Sequence, residues 1–259
     1  MTRVLLTAVA IGAALLPAQT PVERSWSALN AGLDDKSAET RAKAVRALGL
    51  IANNAKAQQL AEKALADPKP EVQAAGAEAL GQMGAKSSAN RLLEAVKSTD
   101  TSVVFAAANA LFTLGDPRAY DIYYAVLTGE RKTGESLVDS QMKMLKDPKA
   151  MAQIGMQAGL GFIPFAGIGM SVFKTATKDD SSPVRAAAAQ KLIRDADPKT
   201  ATALMDAAAD KKWLVRAAVA DAIAKRGDAS LLKAVWPLLS DENEIVRFNA
   251  AAAILRLTK

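Results

Sequence analysis

A repeat constrains this chain more than any other feature. Aligning the sequence on Thr40, Val72, Val103, Val184, Val215 and Val246 gives steps of 32, 31, 81, 31 and 31 residues. Five places before each anchor stands an acid or hydroxyl: Asp35, Asp67, Ser98, Asp179, Asp210 and Asp241. Eight places after each anchor stands a Leu or Ile: Leu48, Leu80, Leu111, Leu192, Ile223 and Ile254. Alanine runs fill the space between, and Gly84, Gly115 and Gly227 follow twelve places after three of the anchors, where a helix needs a left-handed stop. The Asp and Ser side chains are of the type that caps a helix N-terminus. A second apolar stretch follows in each unit, such as Leu92-Leu93-Val96 and Leu231-Leu232-Val235-Leu238. Each unit therefore reads as two short antiparallel helices, neither able to bury its apolar stripe alone, so that stacking must build the core. The expected fold is an all-α solenoid of about six helical-hairpin repeats. The last unit, Glu242 to Leu257, has only its first helix.

The pattern of Asp, Val-Arg six residues later, Ala-Ala and Leu resembles HEAT repeats, in particular the short HEAT-like repeats of phycobilin-lyase proteins. It is carried by Asp35/Arg41, Asp179/Arg185, Asp210/Arg216 and Asp241/Arg247, over residues 35–128 and 179–259. The resemblance implies that these Asp and Arg side chains form a structural ladder of hydrogen bonds between neighbouring repeats. Gln73 and Val104 replace the arginine in two units, where the ladder is expected to weaken. A scaffold of this kind fixes the fold and leaves the activity open.

The 81-residue step holds about 50 additional residues, 129–178, read as an inserted helical hairpin between the N-terminal repeats (19–128) and the C-terminal repeats (179–259). Met151 to Phe173 carries no charge and has Gly155, Gly159, Gly161, Gly167 and Gly169 around Phe162-Ile163-Pro164-Phe165. Proline between glycine-rich stretches suits a break between two small-residue helices. Two readings stand. Residues 150–174 enter a membrane surface or a partner's groove, with Phe162, Ile163, Pro164 and Phe165 as the contact, or they fold back onto the solenoid. Tyr120, Tyr123 and Tyr124 precede the segment and offer a docking platform.

Residues 1–18 read as an export signal: Arg3, an uncharged run from Val4 to Leu16, then Pro17-Ala18, with cleavage expected after Ala18. The expected location is outside the cytoplasm, in a bacterial periplasm.

Composition narrows the function. The chain has no histidine and no cysteine, which removes imidazole bases, thiol nucleophiles, disulfides and thiolate or imidazole metal sites. HEAT-type hydroxylases that depend on His-Glu metal motifs are excluded on the same ground. Ser-x-x-Lys occurs as Ser140/Lys143, Ser171/Lys174 and Ser230/Lys233, but no Ser-Asp-Asn accompanies it and Lys132-Thr133-Gly134 precedes all three copies. The net charge of +6 is spread among interspersed acids and bases, with no stripe for nucleic acid. These features describe a non-enzymatic exported scaffold without cofactors, binding a protein or peptide. The alternative is a membrane-associated accessory protein held by residues 150–174.

Overall fold

The computed structural model describes residues 19–128 and 182–258. Its helices are α1 (Pro21–Leu33), α2 (Ala38–Leu48), α3 (Ala55–Ala64), α4 (Pro70–Met83), α5 (Ala89–Ala95), α6 (Thr101–Thr113) and α7 (Arg118–Thr128) in the N-terminal block. The C-terminal block has α8 (Ser182–Lys191), α9 (Pro198–Ala207), α10 (Trp213–Arg226), the short α11 (Leu232–Val235) between 3-10 turns, and α12 (Glu244–Leu257). No strand occurs among the described residues. The fold is an all-α solenoid, as the repeat requires.

Local sequence sets the helix ends. Gly84, Gly115 and Gly227 take φ of 75°, 75° and 72°, a conformation that a Cβ disfavours. The N-terminal ends differ from the sequence reading. The capping residues are Ser37, Asp100 and Asn243, and Lys69 and Lys212 hold the same place without a side-chain cap. The repeated Asp lies two residues earlier and accepts the backbone N–H of the cap residue. Asp35 Oδ1 receives Ser37 N at 2.7 Å, Asp67 Oδ1 receives Lys69 N at 2.9 Å, and Asp241 Oδ1 receives Asn243 N at 2.9 Å. Each is an Asx turn leading into a helix rather than the cap itself. Placed there, the carboxylate keeps its outer oxygen free for a neighbouring repeat.

The first helices of the units lie side by side, and the Val and Leu columns face the interior. Val72, Val103, Val215 and Val246 are buried, as are Leu48, Leu80, Leu111, Ile223 and Ile254. Burying each such side chain stabilises the fold by roughly 1.5–3 kcal/mol. Glycine permits close approach within the row. A Cβ on Gly81 would stand 2.9 Å from Ala110 Cα, so α4 and α6 pack nearly backbone to backbone.

The order of units in space is not their order in sequence. The first-helix row runs α8, α10, α12, α2, α4, α6, and the second-helix layer runs α9, α11, α1, α3, α5, α7. The C-terminal block thus precedes the N-terminal block. Helix α1 is the second helix of the unit that α12 begins, so the half-repeat at the end of the sequence is completed by its start. Thr20 caps α1 through a capping box with Glu23, and Ser25, Leu29 and Gly32 are its buried face. Phe248 on α12 lies against Gly32, and Lys43 on α2 reaches Glu244 on α12 at 2.9 Å. Arg24 donates to Ser240 Oγ at 3.3 Å, and Arg256 donates to the Leu50 carbonyl at 2.9 Å. Lys56 on α3 stands 4.0 Å over the Trp26 ring of α1.

Helices α6 and α8 stand at the two ends of this row. The inserted helical hairpin expected at residues 129–178 lies outside the described residues.

Candidate interaction surface

Along the edge where the first helices begin, arginine and aspartate alternate. Arg41 donates to Asp67 through Nε and Nη2, both at 2.9 Å, and through Nη1 to the carbonyls of Asp35 and Lys36. Arg216 repeats this toward Asp241, with Nε at 2.6 Å and Nη2 at 2.9 Å, and toward the carbonyls of Asp210 and Lys211. Arg185 binds Asp210 with both distances at 3.1 Å. Each arginine thus bridges forward to the carboxylate of the next unit. For Arg41 and Arg216 the acid six residues before contributes its backbone carbonyl instead. Gln73 keeps only the backward half, donating to the Asp67 carbonyl at 2.6 Å. Arg247 likewise donates to the carbonyls of Asp241 and Glu242, at the unit that α1 completes. Asp179 lies outside the described residues.

The Arg41 guanidinium, against the cost of burial, holds the Asp67 carboxyl below its ordinary value with help from Lys69 N–H. At Asp241 burial favours the neutral acid, but hydrogen bonds from Arg216 and Asn243 prevail and the value is lowered. These carboxylates are fully engaged as structural acceptors. Ser230 is similarly engaged: its Oγ donates to Asp228 Oδ1 at 2.6 Å at a turn, so the one Ser-x-x-Lys copy within the described residues is built into a helix start. The other two copies lie outside them. Among the described residues no group of three acidic side chains could hold a metal, and no helix is long and apolar enough to cross a membrane.

One buried polar pair stands apart. Asp221 on α10 is 4 % exposed and faces Gln190 on α8, with Lys225 Nζ 3.0 Å from Oδ2. Gln190 Oε1 and Asp221 Oδ2 have no donor in hydrogen-bonding geometry. Burial pushes the Asp221 carboxyl up, opposed by Lys225, by a hydrogen bond with Gln190 and by the more distant Arg256.

The α6 end of the row carries the most distinctive surface. Phe105 and Phe112 are 45 % and 50 % exposed, and Tyr120 on α7 is 56 % exposed, its ring edge-on to Phe112 at 5.8 Å. Phe105 and Phe112 stand two and nine places after the anchor. The same places hold Ala42 and Gly49, Ala74 and Gly81, Ala217 and Ala224, and Phe248 and Leu255, all buried. Those residues are covered by packed helices: Gly81 meets Ala110 of α6, Gly49 meets Ala79 of α4, and Phe248 meets Gly32 of α1. The two phenylalanines are thus a stacking face displayed at the end of the row. The sequence reading did not single them out; the signal was phenylalanine at both of two register places where Thr40, Val72 and Val215 are followed only by Ala or Gly. Met205 on α9 and Trp236 just after α11, at equivalent places in successive units, are also exposed. Tyr123 is partly buried beside Phe112, and Trp213 is also partly buried. The predicted contacts Phe162, Ile163, Pro164 and Phe165 lie outside the described residues.

Stacked helical hairpins joined by inter-repeat hydrogen bonds define an α-solenoid repeat protein. The HEAT-repeat family profile matches residues 58–132 and 171–255, more than half of the sequence, and the chain belongs to that family. A comparison with curated proteins finds no match. Among solved structures, human deoxyhypusine hydroxylase in complex with glycerol is similar at 18% identity and a TM-score of 0.30, covering 91% of this chain and 84% of that one. An engineered protein is similar at 19% identity and a TM-score of 0.28, covering 90% and 96%. A designed armadillo repeat protein is similar at 16% identity and a TM-score of 0.27, covering 89% and 98%.

Proposed function

We propose that this protein is an exported, non-enzymatic scaffold that binds a protein partner through the α6–α7 end of its solenoid. The observation that carries this reading is the exposure of Phe105 and Phe112 at places that a packed helix covers elsewhere in the row. Two rings spaced seven residues apart lie two turns along one helix face. The complementary surface is a partner α-helix with small residues where the rings land, as Gly32 receives Phe248. Exposed aromatics of this kind are the side chains that dominate binding at interfaces.

Export rests on the pattern of residues 1–18, and the periplasm is the location it implies. Cleavage after Ala18 would leave Thr20 and its capping box intact, so the mature chain would keep α1.

The test compares the wild-type protein with the double variant Phe105→Ser/Phe112→Ser by crosslinking and mass spectrometry in the native cell envelope. Loss of a specific crosslinked partner, with helicity and Tm unchanged, is the expected result. Identical crosslinks from both proteins would overturn the reading. Liposome flotation with and without residues 150–174 separates it from membrane attachment: wild-type chain floating with anionic vesicles, and the deletion remaining below, would replace it.

A further inference from the structure

The first helix of the chain is buried against the last. Ser25 and Leu29 of α1 are fully buried, and Gly32 meets the Phe248 ring of α12. In the row, α12 stands between α10 and α2 and joins the C-terminal block to the N-terminal one. A chain that lacks residues 244–257 has no surface on which the α12-facing side of α1 can pack. Helices α4 and α6 differ, since their main neighbours lie within residues 38–128.

We infer that α1 docks stably only once α12 has been made, so that the seam between the two blocks closes last and residues 21–33 stay undocked until then. The physical basis is sequence separation. The α1–α12 contact spans more than 200 residues, and loop closure across such a span comes late compared with contacts inside a block. Domains emerging from synthesis fold from the N-terminus onward, and here α1 has α2 and Lys56 of α3 within reach early but lacks α12, its most extensive neighbour. The seam itself is held by dispersed contacts. Lys43–Glu244, Arg24–Ser240 and Arg256 to the Leu50 carbonyl cross it, while Arg247 makes only the backward half of its rung. In an exported chain, which is the reading proposed above, this order keeps the segment directly after residue 18 unfolded and accessible during synthesis.

The absence of native cysteine makes the test direct. Single cysteines at Ser25→Cys on α1 and Ala79→Cys on α4 are labelled with a thiol reagent in the full chain and in a chain ending at Asp241. Both sites should be protected in the full chain. In the shortened chain the Ser25→Cys site should label at least 100-fold faster, and the Ala79→Cys site should stay protected. Protection of Ser25→Cys without α12 would overturn the inference. If the shortened chain fails to fold, pulse labelling during refolding of the full chain decides. The Ser25→Cys site should become protected together with or after an Ala252→Cys site on α12, and protection before it would overturn the inference. Neither measurement depends on where the protein resides, so the docking order can fail or hold independently of export.

Discussion

The Phe248 ring of α12 is packed against Gly32 of α1, so closely that a Cβ on Gly32 would lie 2.6 Å from Phe248 Cε1 and 2.8 Å from Ala44 Cβ. Residues more than 200 positions apart thus share one contact, and it is the point where the two ends of the chain become one repeat. Substituting Gly32→Ala should overpack this seam and cost about 1–3 kcal/mol. Phe248→Leu in the same chain should recover part of that loss. Thermal melts of the two single variants and the double variant measure the coupling. Strict additivity would show that the two residues do not meet.

The ladder should be worth more than the surface ion pairs. Arg216 and Asp241 side chains are 11 % and 6 % exposed, whereas Lys97 and Glu94 are 68 % and 71 % exposed. Asp241→Ala removes the carboxylate that a largely buried guanidinium grips and should cost about 3 kcal/mol, while Glu94→Ala should stay within about 0.5 kcal/mol. Chemical denaturation of both variants distinguishes the two environments.

The ladder also makes stability depend on pH. Asp67 is held below its ordinary value by the Arg41 hydrogen bonds, against the effect of burial. A carboxyl lowered in the folded state contributes fully above its unfolded value, about 3.9, and the contribution disappears as pH falls through the lower folded value. Asp67→Asn should therefore be less stable than wild type at pH 7 and equal to it near pH 2. Tm measured across that range checks the convergence.

Asp221 should behave in the opposite sense. Burial raises its carboxyl, with Lys225, Gln190 and Arg256 opposing. A raised carboxyl binds its proton more tightly in the folded state, so stability is lost as pH rises from the unfolded value through the folded one. Asp221→Asn removes the buried charge and supplies an N–H for Gln190 Oε1, which has no donor. The variant should melt higher than wild type at pH 8, with a smaller difference at pH 4. A lower Tm at pH 8 would mean that the Lys225 ion pair outweighs the burial of the carboxylate.

Backbone conformation gives a further pair of expectations. Gly227 ends α10 at φ 72° with open space around the position of a Cβ, so Gly227→Ala should lose about 1 kcal/mol through backbone strain alone. Asn53 takes φ 56°, and Asn53→Gly should be neutral or mildly stabilising. Melting curves of the two variants give the comparison.

Much of the fold was legible from local pattern. The Val and Leu columns, the glycines at the ends of α4 and α10 and the alanine runs all report on a helix and its immediate neighbours, and each has a period that a linear reading detects. The ladder was implied by the resemblance to HEAT-like repeats, but its direction was not. Asp241 and Arg247 look paired in the sequence, yet the guanidinium that grips Asp241 belongs to Arg216, 25 residues earlier. Spacing along the chain says which side chains share an edge. Only the pitch of the stack says which of them meet.

The sequence by itself determined that this chain is built of stacked helical hairpins, because a 31-residue period of apolar residues and acids leaves each unit unable to bury its face alone. The order of those units was decided by tertiary structure. Residues 21–33 carry a capped helix without an anchor of the repeat, and α12 carries a repeat without a second helix; nothing local joins them. They pair because each covers apolar surface that the other leaves open, and burial acts on proximity in space whatever the separation along the chain. That pairing brings α1 and α12 together in the middle of the solenoid and leaves Phe105 and Phe112 displayed at its end.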